Sequence, residues 1–245
     1  DYALKQLRSP KLSVQPPTPP VETLRIPTGF FQQHQDVLLP QVYSHRSLSQ
    51  FQKCPYGFLI KECLRFYPLS LTQGRLEGPL REGEFLHYAL WRYFSMMRDE
   101  GVLESPEIFH ELLEECFSIM EGRFKIKILG PEKFRLKRTL LQFIEKEKEW
   151  RSESSFIPKA FEWSFGSGRK EGCDSLSVSE TLNLQWKGMT LQCRGTVDRV
   201  DIDNHLKTFQ VIDYKTGHAM PSEKEVRSGK HFQLPLYAMA VEALF

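Results

Sequence analysis

Hydrophobic positions along the chain change their spacing near residue 150, and the change separates two kinds of structure. From Ser47 onward Leu48, Phe51, Phe58, Leu59 and Leu64 predict two short helices, joined at Cys54-Pro55 because Pro suits a first helical turn. Phe85, Leu86, Ala89, Leu90, Tyr93, Phe94 and Met97 recur at helical spacing over residues 82–98. A third helix is expected to start at Ser105-Pro106-Glu107 and to bury Ile108, Leu112, Leu113, Cys116, Phe117 and Met120. A fourth covers about 131–151. Beyond it the period shortens to two. Phe161 to Phe165 reads as a strand, and Leu182, Leu184 and Trp186 alternate toward a turn at Lys187-Gly188. One strand from Leu191 to Ile202 answers them and turns at Asp203-Asn204. Phe209, Val211 and Ile212 then lead into Asp213-Tyr214-Lys215, Thr216-Gly217 ends that strand, and a helix follows from about Phe232. The expected class is α/β, a mixed central sheet flanked by helices with a helical N-terminal half.

Residues 1 to about 45 lack this periodicity and contain Gln15-Pro16-Pro17-Thr18-Pro19-Pro20, the composition of an extended linker or strap. The domain proper is expected over 46–245, its helical part at 46–151 and its α/β core at 152–245. The chain reads as a piece of a longer polypeptide, because it starts at Asp1 and stops at Leu244-Phe245 within an apolar helical pattern.

Composition narrows the classes without choosing among them. The 245 residues are 40% hydrophobic and 26% charged, ordinary for a globular protein. No apolar run approaches the roughly 18 residues that span a bilayer, and no signal-like start is present, so no membrane and a cytoplasmic setting are expected. A net charge of +2 does not announce a nucleic-acid binder. A local basic groove would suffice, and Arg123, Lys125, Lys127, Lys133, Arg135, Lys137 and Arg138 are candidates to line one, or else a solvated helix face. Cys54, Cys63, Cys116, Cys173 and Cys193 form no CxxC pair, which argues against a disulfide framework or a self-contained zinc site. No Walker-type phosphate loop is present, so ATP hydrolysis is not expected of this segment.

The sharpest chemical signal is Val211-Ile212-Asp213-Tyr214-Lys215-Thr216-Gly217. Strand alternation points Asp213 and Lys215 one way and Tyr214 the other. A carboxylate for a hard cation beside an ammonium is what phosphodiester hydrolysis asks for. Alone, the same residues make an ordinary salt-bridged strand end. Arg194-Gly195-Thr196-Val197-Asp198-Arg199-Val200-Asp201 changes the balance, because a neighbouring strand can bring Asp198 to Asp213, and converging carboxylates call for a cation. Gly195 permits close approach of backbone or ligand. Gln233 and Tyr237 share a helix face, where they either pack or orient Lys215 and a phosphate.

Taken as an ordered set, Gly195 to Asp201, Ile212 to Gly217 and Gln233-Leu234-Pro235-Leu236-Tyr237 resemble the RecB/AddB branch of the PD-(D/E)XK nucleases, over roughly residues 44–245. Gly83-Glu84-Phe85-Leu86-His87-Tyr88-Ala89-Leu90 is similar to the family's upstream helical motif. The resemblance implies a restriction-endonuclease-like fold and a metal-dependent DNA nuclease, expected to be an exonuclease in recombination and repair. It assigns magnesium or manganese to His87, Asp198, Asp213 and the Tyr214 carbonyl. Asp198, Asp213, Lys215, Gln233 and Tyr237 become the catalytic set, with DNA (single-stranded or duplex ends) and a helicase domain or subunit as partners. Pro158 and Glu162 resemble the strand that opens the family's core, with Glu162 read as structural. Cys54-Pro55 is similar to the site where AddB-like members bind the first ligand of a four-iron, four-sulfur cluster. The other cysteines of that cluster are missing here, so a cluster is implied only for a longer parent chain, and Cys54 is read as a buried apolar thiol. The rival reading is a nuclease-like module that binds DNA or a helicase without cutting. Cleavage polarity and strand preference stay open.

Overall fold

A computed structural model of the chain describes residues 39–67, 79–100, 106–167, 172–215 and 221–245, together with Gly29. The expected linker up to residue 38 (Gly29 apart), Ser105 and Thr216-Gly217 lie outside the described residues.

The first described helix, α1 (His45–Lys53), starts where the sequence can satisfy its free amides. The Ser44 hydroxyl accepts from the Ser47 backbone, and the Ser47 hydroxyl accepts from the Ser44 backbone. Pro55 opens α2 (Pro55–Phe58), which runs on into a π-helical turn at Leu59–Cys63. This geometry corrects the reading of Cys54 as buried. The residue before Pro55 becomes the helix cap, and Cys54 is exposed with its Sγ accepting from Gly57 N at 3.2 Å.

Three long helices follow: α3 (Pro79–Glu100), α4 (Pro106–Phe124) and α5 (Gly130–Glu153). Their apolar stripes build one core cluster, with Phe85 stacked on Phe117 at 4.6 Å. On α4 the stripe begins one residue later than expected. Phe109 is buried because it meets the edge of Tyr93, and Ile108 is only half-buried.

The strands are β1 (Ile157–Phe165), β2 (Leu182–Trp186), β3 (Met189–Cys193), β4 (Gly195–Asp203) and β5 (Thr208–Ile212). They form an antiparallel sheet in the order β1-β4-β5 and a separate β2-β3 hairpin. Among the described residues the parallel component is a single bridge between Tyr43 and Cys193. The hairpin turns through Lys187 and Gly188, both at positive φ (46° and 78°), as a two-residue loop requires. The strand expected from Leu191 to Ile202 is two strands. Tyr43 takes a hydrogen bond from Arg194 N and gives one to Gln192 O, each 2.8 Å, so the chain leaves one sheet there before joining the other. After β5 come α6 (Glu223–Arg227) and α7 (Gln233–Leu244), the latter burying Leu236, Tyr237, Ala240 and Val241.

The main sheet lies between the two cores, but its side chains do not alternate cleanly. Ala160 and Trp163 of β1 enter the cluster shared with α7, whereas Phe161 stacks on Phe94 of α3 and Glu162 reaches His87 of the same helix. Glu162 turns the strand over by adopting φ +51°, a conformation that costs a residue with a Cβ. Across the ladder, Val197 and Val200 of β4 enter the α7 cluster, while both Asp198 and Arg199 meet groups of α3. The irregularity therefore brings two successive side chains of each strand to the helical face.

Candidate functional site

His87 sits on α3 among buried neighbours (Phe85, Leu86, Ala89, Leu90), and its ring emerges at the irregular stretch of the sheet. Its Nδ1 lies 3.3 Å from Glu162 Oε1 and 3.5 Å from Asp198 Oδ1, and its Nε2 lies 3.2 Å from the Tyr214 carbonyl oxygen. One ligand atom from each of His87, Glu162 and Asp198 falls within 4.8 Å of the others. Asp198 Oδ2 accepts from Tyr214 N at 2.7 Å, so the strand bearing Asp198 also fixes the backbone that offers the carbonyl. The Tyr214 ring packs edge-on against His87 and Phe143 on the helical side.

The strand expected to run through Lys215 ends at Ile212, so Asp213, Tyr214 and Lys215 follow β5 as irregular chain. Asp213 and Lys215 face away from the Tyr214 ring, toward Gln233 of α7. Lys215 Nζ lies 2.5 Å from Asp213 Oδ2 and donates to Gln233 Oε1 at 3.0 Å, while Gln233 Nε2 donates to Asp213 Oδ1 at 2.6 Å. Gln233 thus bridges the acid and the base with the two ends of one amide. Tyr237, one turn later on α7, is buried, and its hydroxyl lies 3.1 Å from His45 Nδ1. Gly195 makes room for that ring, since a Cβ there would stand 2.7 Å from Tyr237 Cε1.

Burial and neighbouring charge pull the acid–base groups of the site in different directions. Burial raises the Glu162 carboxyl, and the charges of Asp198 and Asp213 add to this against the relief from His87. Burial likewise raises Asp213, with Asp198 opposing the help of Lys215. For His87, burial acts downward, but hydrogen bonds and charge from Asp198 and Glu162 outweigh it and lift the imidazole to about 10. His45 moves the other way, to about 4, through burial and the charges of Arg46 and Lys215.

The chain matches the model of the PD-(D/E)XK nuclease superfamily over residues 42–245. It belongs to that superfamily. The PD-(D/E)XK domain is also similar to three proteins named as the B subunit of an ATP-dependent helicase/deoxyribonuclease. These come from Caldanaerobacter subterraneus subsp. tengcongensis (25% identical, covering 81% of this chain), Clostridium acetobutylicum (23%, covering 79%) and Clostridium novyi (27%, covering 79%). The matched region is 17% of the length of each of these relatives.

Within the PD-(D/E)XK domain, His87 and Asp198 meet the Tyr214 carbonyl on the α3 face of the sheet, Asp213, Lys215 and Gln233 form a second group flanking Tyr214, and Tyr237 lies in the core shared with α7. The structure adds two side chains to which sequence reasoning assigns no site role. Glu162 stands in the sequence as a lone carboxylate in an apolar strand, which is a usable signal. His45 carries none. Cys54 contributes to a helix cap, outside this cluster. The basic run is partly structural: Lys133 pairs with Glu121 at 3.4 Å, Arg135 pairs with Glu82, and Lys137 contacts His110 at 2.8 Å. Arg123, Lys125, Lys127 and Arg138 are exposed. Among the described residues no helix is long and apolar enough to cross a membrane.

Proposed function

We propose that this chain is a metal-dependent deoxyribonuclease domain that hydrolyses phosphodiester bonds, acting as an exonuclease in DNA recombination and repair. The observation that carries the reading is the meeting of His87, Glu162, Asp198 and the Tyr214 carbonyl beside the Asp213–Lys215–Gln233 triad. Carboxylates, a carbonyl and one imidazole make a mostly hard donor set, which suits magnesium or manganese. His87, Asp198, Asp213 and the Tyr214 carbonyl would hold the ion, and Glu162 is close enough to join them or to orient His87. A bound divalent ion supplies Lewis acidity toward the phosphate and a more acidic water.

The chain's own residues do the rest. Asp213 and Gln233 engage two of the three donors of the Lys215 ammonium, and the third is left to orient the attacking water or to meet charge developing on the phosphate. Tyr237 and Gln233 keep that ammonium beside the carboxylates. The names of the relatives support DNA as the substrate and a helicase region or subunit as the partner. The test is cleavage of single-stranded and duplex DNA with magnesium or manganese. Asp213→Ala and Lys215→Ala are each expected to lower the rate by about 10²–10⁴-fold, the span of a positioned proton-transfer group. Undiminished cutting by both variants ends the proposal. Metal and DNA binding without cutting by the unaltered chain would favour a non-cleaving module.

A further inference from the structure

His45 stands outside the ligand cluster yet is tied to it. It opens α1, whose first turn is fixed by the reciprocal Ser44–Ser47 bonds, and it meets Tyr237 across 192 positions of sequence. The two rings are edge to face, with centroids 5.6 Å apart. The Tyr237 ring has little freedom: Gly195 leaves it just enough space, and the Phe165 ring stands edge-on to it at 6.3 Å. With the ring fixed, the direction of the hydroxyl bond is the remaining variable.

That direction matters because of what lies on the other side of the phenol. Burial, together with the charges of Arg46 and Lys215, disfavours the cationic form of His45, and the neutral ring with its proton on Nε2 offers the Nδ1 lone pair to the Tyr237 hydroxyl. The phenol oxygen then turns its lone pairs toward the start of α7, where Gln233 stands four residues earlier on the same helix face and can donate to it. An amide that directs NH2 toward Tyr237 and Asp213 must direct its oxygen toward Lys215, the orientation the structure has. The opposite orientation would set NH2 against the Lys215 ammonium and the amide oxygen against the Asp213 carboxylate.

We propose that His45 is a positioning residue for phosphodiester cleavage: by accepting from Tyr237 it sets the direction of a hydrogen-bond chain through Gln233 and so holds Lys215 beside Asp213. The proposal rests on the nuclease reading for its effect on rate, but not for the hydrogen bond itself. Two measurements on the full chain separate these.

In ¹⁵N spectra of the histidine rings, His45 is expected to carry its proton on Nε2, and Tyr237→Phe is expected to move the Nδ1 resonance. A proton on Nδ1 overturns the proposal whatever the chain cleaves. In the cleavage assay, His45→Ala is expected to lower kcat by about three- to tenfold, the worth of one hydrogen bond, while manganese affinity by calorimetry stays unchanged. His45→Asn, which keeps an acceptor near the Nδ1 position, restores the rate. Tyr237→Phe matches the His45→Ala loss, and the double variant adds nothing to it. Additive losses, or no rescue by Asn, overturn the positioning role. A wild-type chain that binds manganese without cutting defeats the nuclease reading, and the spectra then decide the hydrogen bond alone.

Discussion

Strand β4 carries two buried charge clusters one peptide bond apart, and they are built on opposite balances. Arg199 is fully buried, binds Asp201 through Nε at 2.6 Å and Glu147 through Nη2 at 2.6 Å, and lies over the Phe94 ring at 4.8 Å. Arg151 adds a second cation to Glu147 at 3.6 Å, so two guanidinium groups face two carboxylates. Next to it, Asp198 joins Glu162 and Asp213, three carboxylates against the single permanent cation of Lys215 and a titratable His87. The first cluster balances its formal charges within itself, even though Arg199 Nη1 has no hydrogen-bond partner among the described residues, and it ties α5 to the sheet. The second holds excess negative charge that its own side chains do not cancel. A balanced buried cluster is costly to break, because removing one partner strands the other's charge, and an unbalanced one marks a candidate binding site.

The comparison breaks most visibly at Arg199. Arg199→Ala leaves the buried Asp201 without its cation and Glu147 with only the longer Arg151 contact, and urea denaturation should show a loss of about 3–5 kcal/mol. A loss near zero would mean that the cluster does not tie α5 to the sheet. Glu162→Gln should behave in the opposite sense. Burial and neighbouring carboxylates disfavour the charged form in the folded state, so the neutral amide should leave metal-free stability unchanged or raised. The same change should weaken manganese binding about 10–100-fold, as removing a ligand or its orienting partner does. Lower metal-free stability with unaltered metal affinity would return Glu162 to a purely structural role.

The smallest effect is linked to protons. Without metal, His87 titrates near 10 rather than near its ordinary 6.5, so its charge stabilises the fold fully below about pH 6.5 and that contribution is lost as pH rises through about 10. A metal ligand must be the neutral imidazole, so ion uptake at neutral pH should release about one proton from His87. Calorimetry in two buffers of different ionisation enthalpy should detect that proton. His87→Ala should abolish it and also flatten the metal-free stability between about pH 6.5 and 10.

Much of this is legible in local pattern. The stripe of α3 names the helix that carries His87, and period-two stretches place β1, β4 and β5. The motif order Asp198, Asp213, Lys215, Gln233, Tyr237 points to the chemistry proposed above, and the Tyr214 ring does part from Asp213 and Lys215, although the strand expected to impose this ends at Ile212. These features are legible because helix and strand periods are properties of a few consecutive residues. The place of Glu162 is not, because strict alternation leaves no reason for Phe161 and Glu162 to share a face. Nor is the exposure of Cys54, because a cap's exposure depends on the direction in which the next helix leaves.

What residue order alone decided about this protein is therefore the kind and succession of its elements, and which side chains could supply metal ligands, a cation and an amide. The assembled fold decided which of them meet. The positive φ at Glu162 is tolerated because packing on both cores outweighs its local cost, and the change of sheet at Arg194 follows from hydrogen bonds to Tyr43. The contact of His45 with Tyr237 closes a loop of 192 residues. Each of these depends on free energy gathered from distant parts of the chain, which no short window of sequence contains.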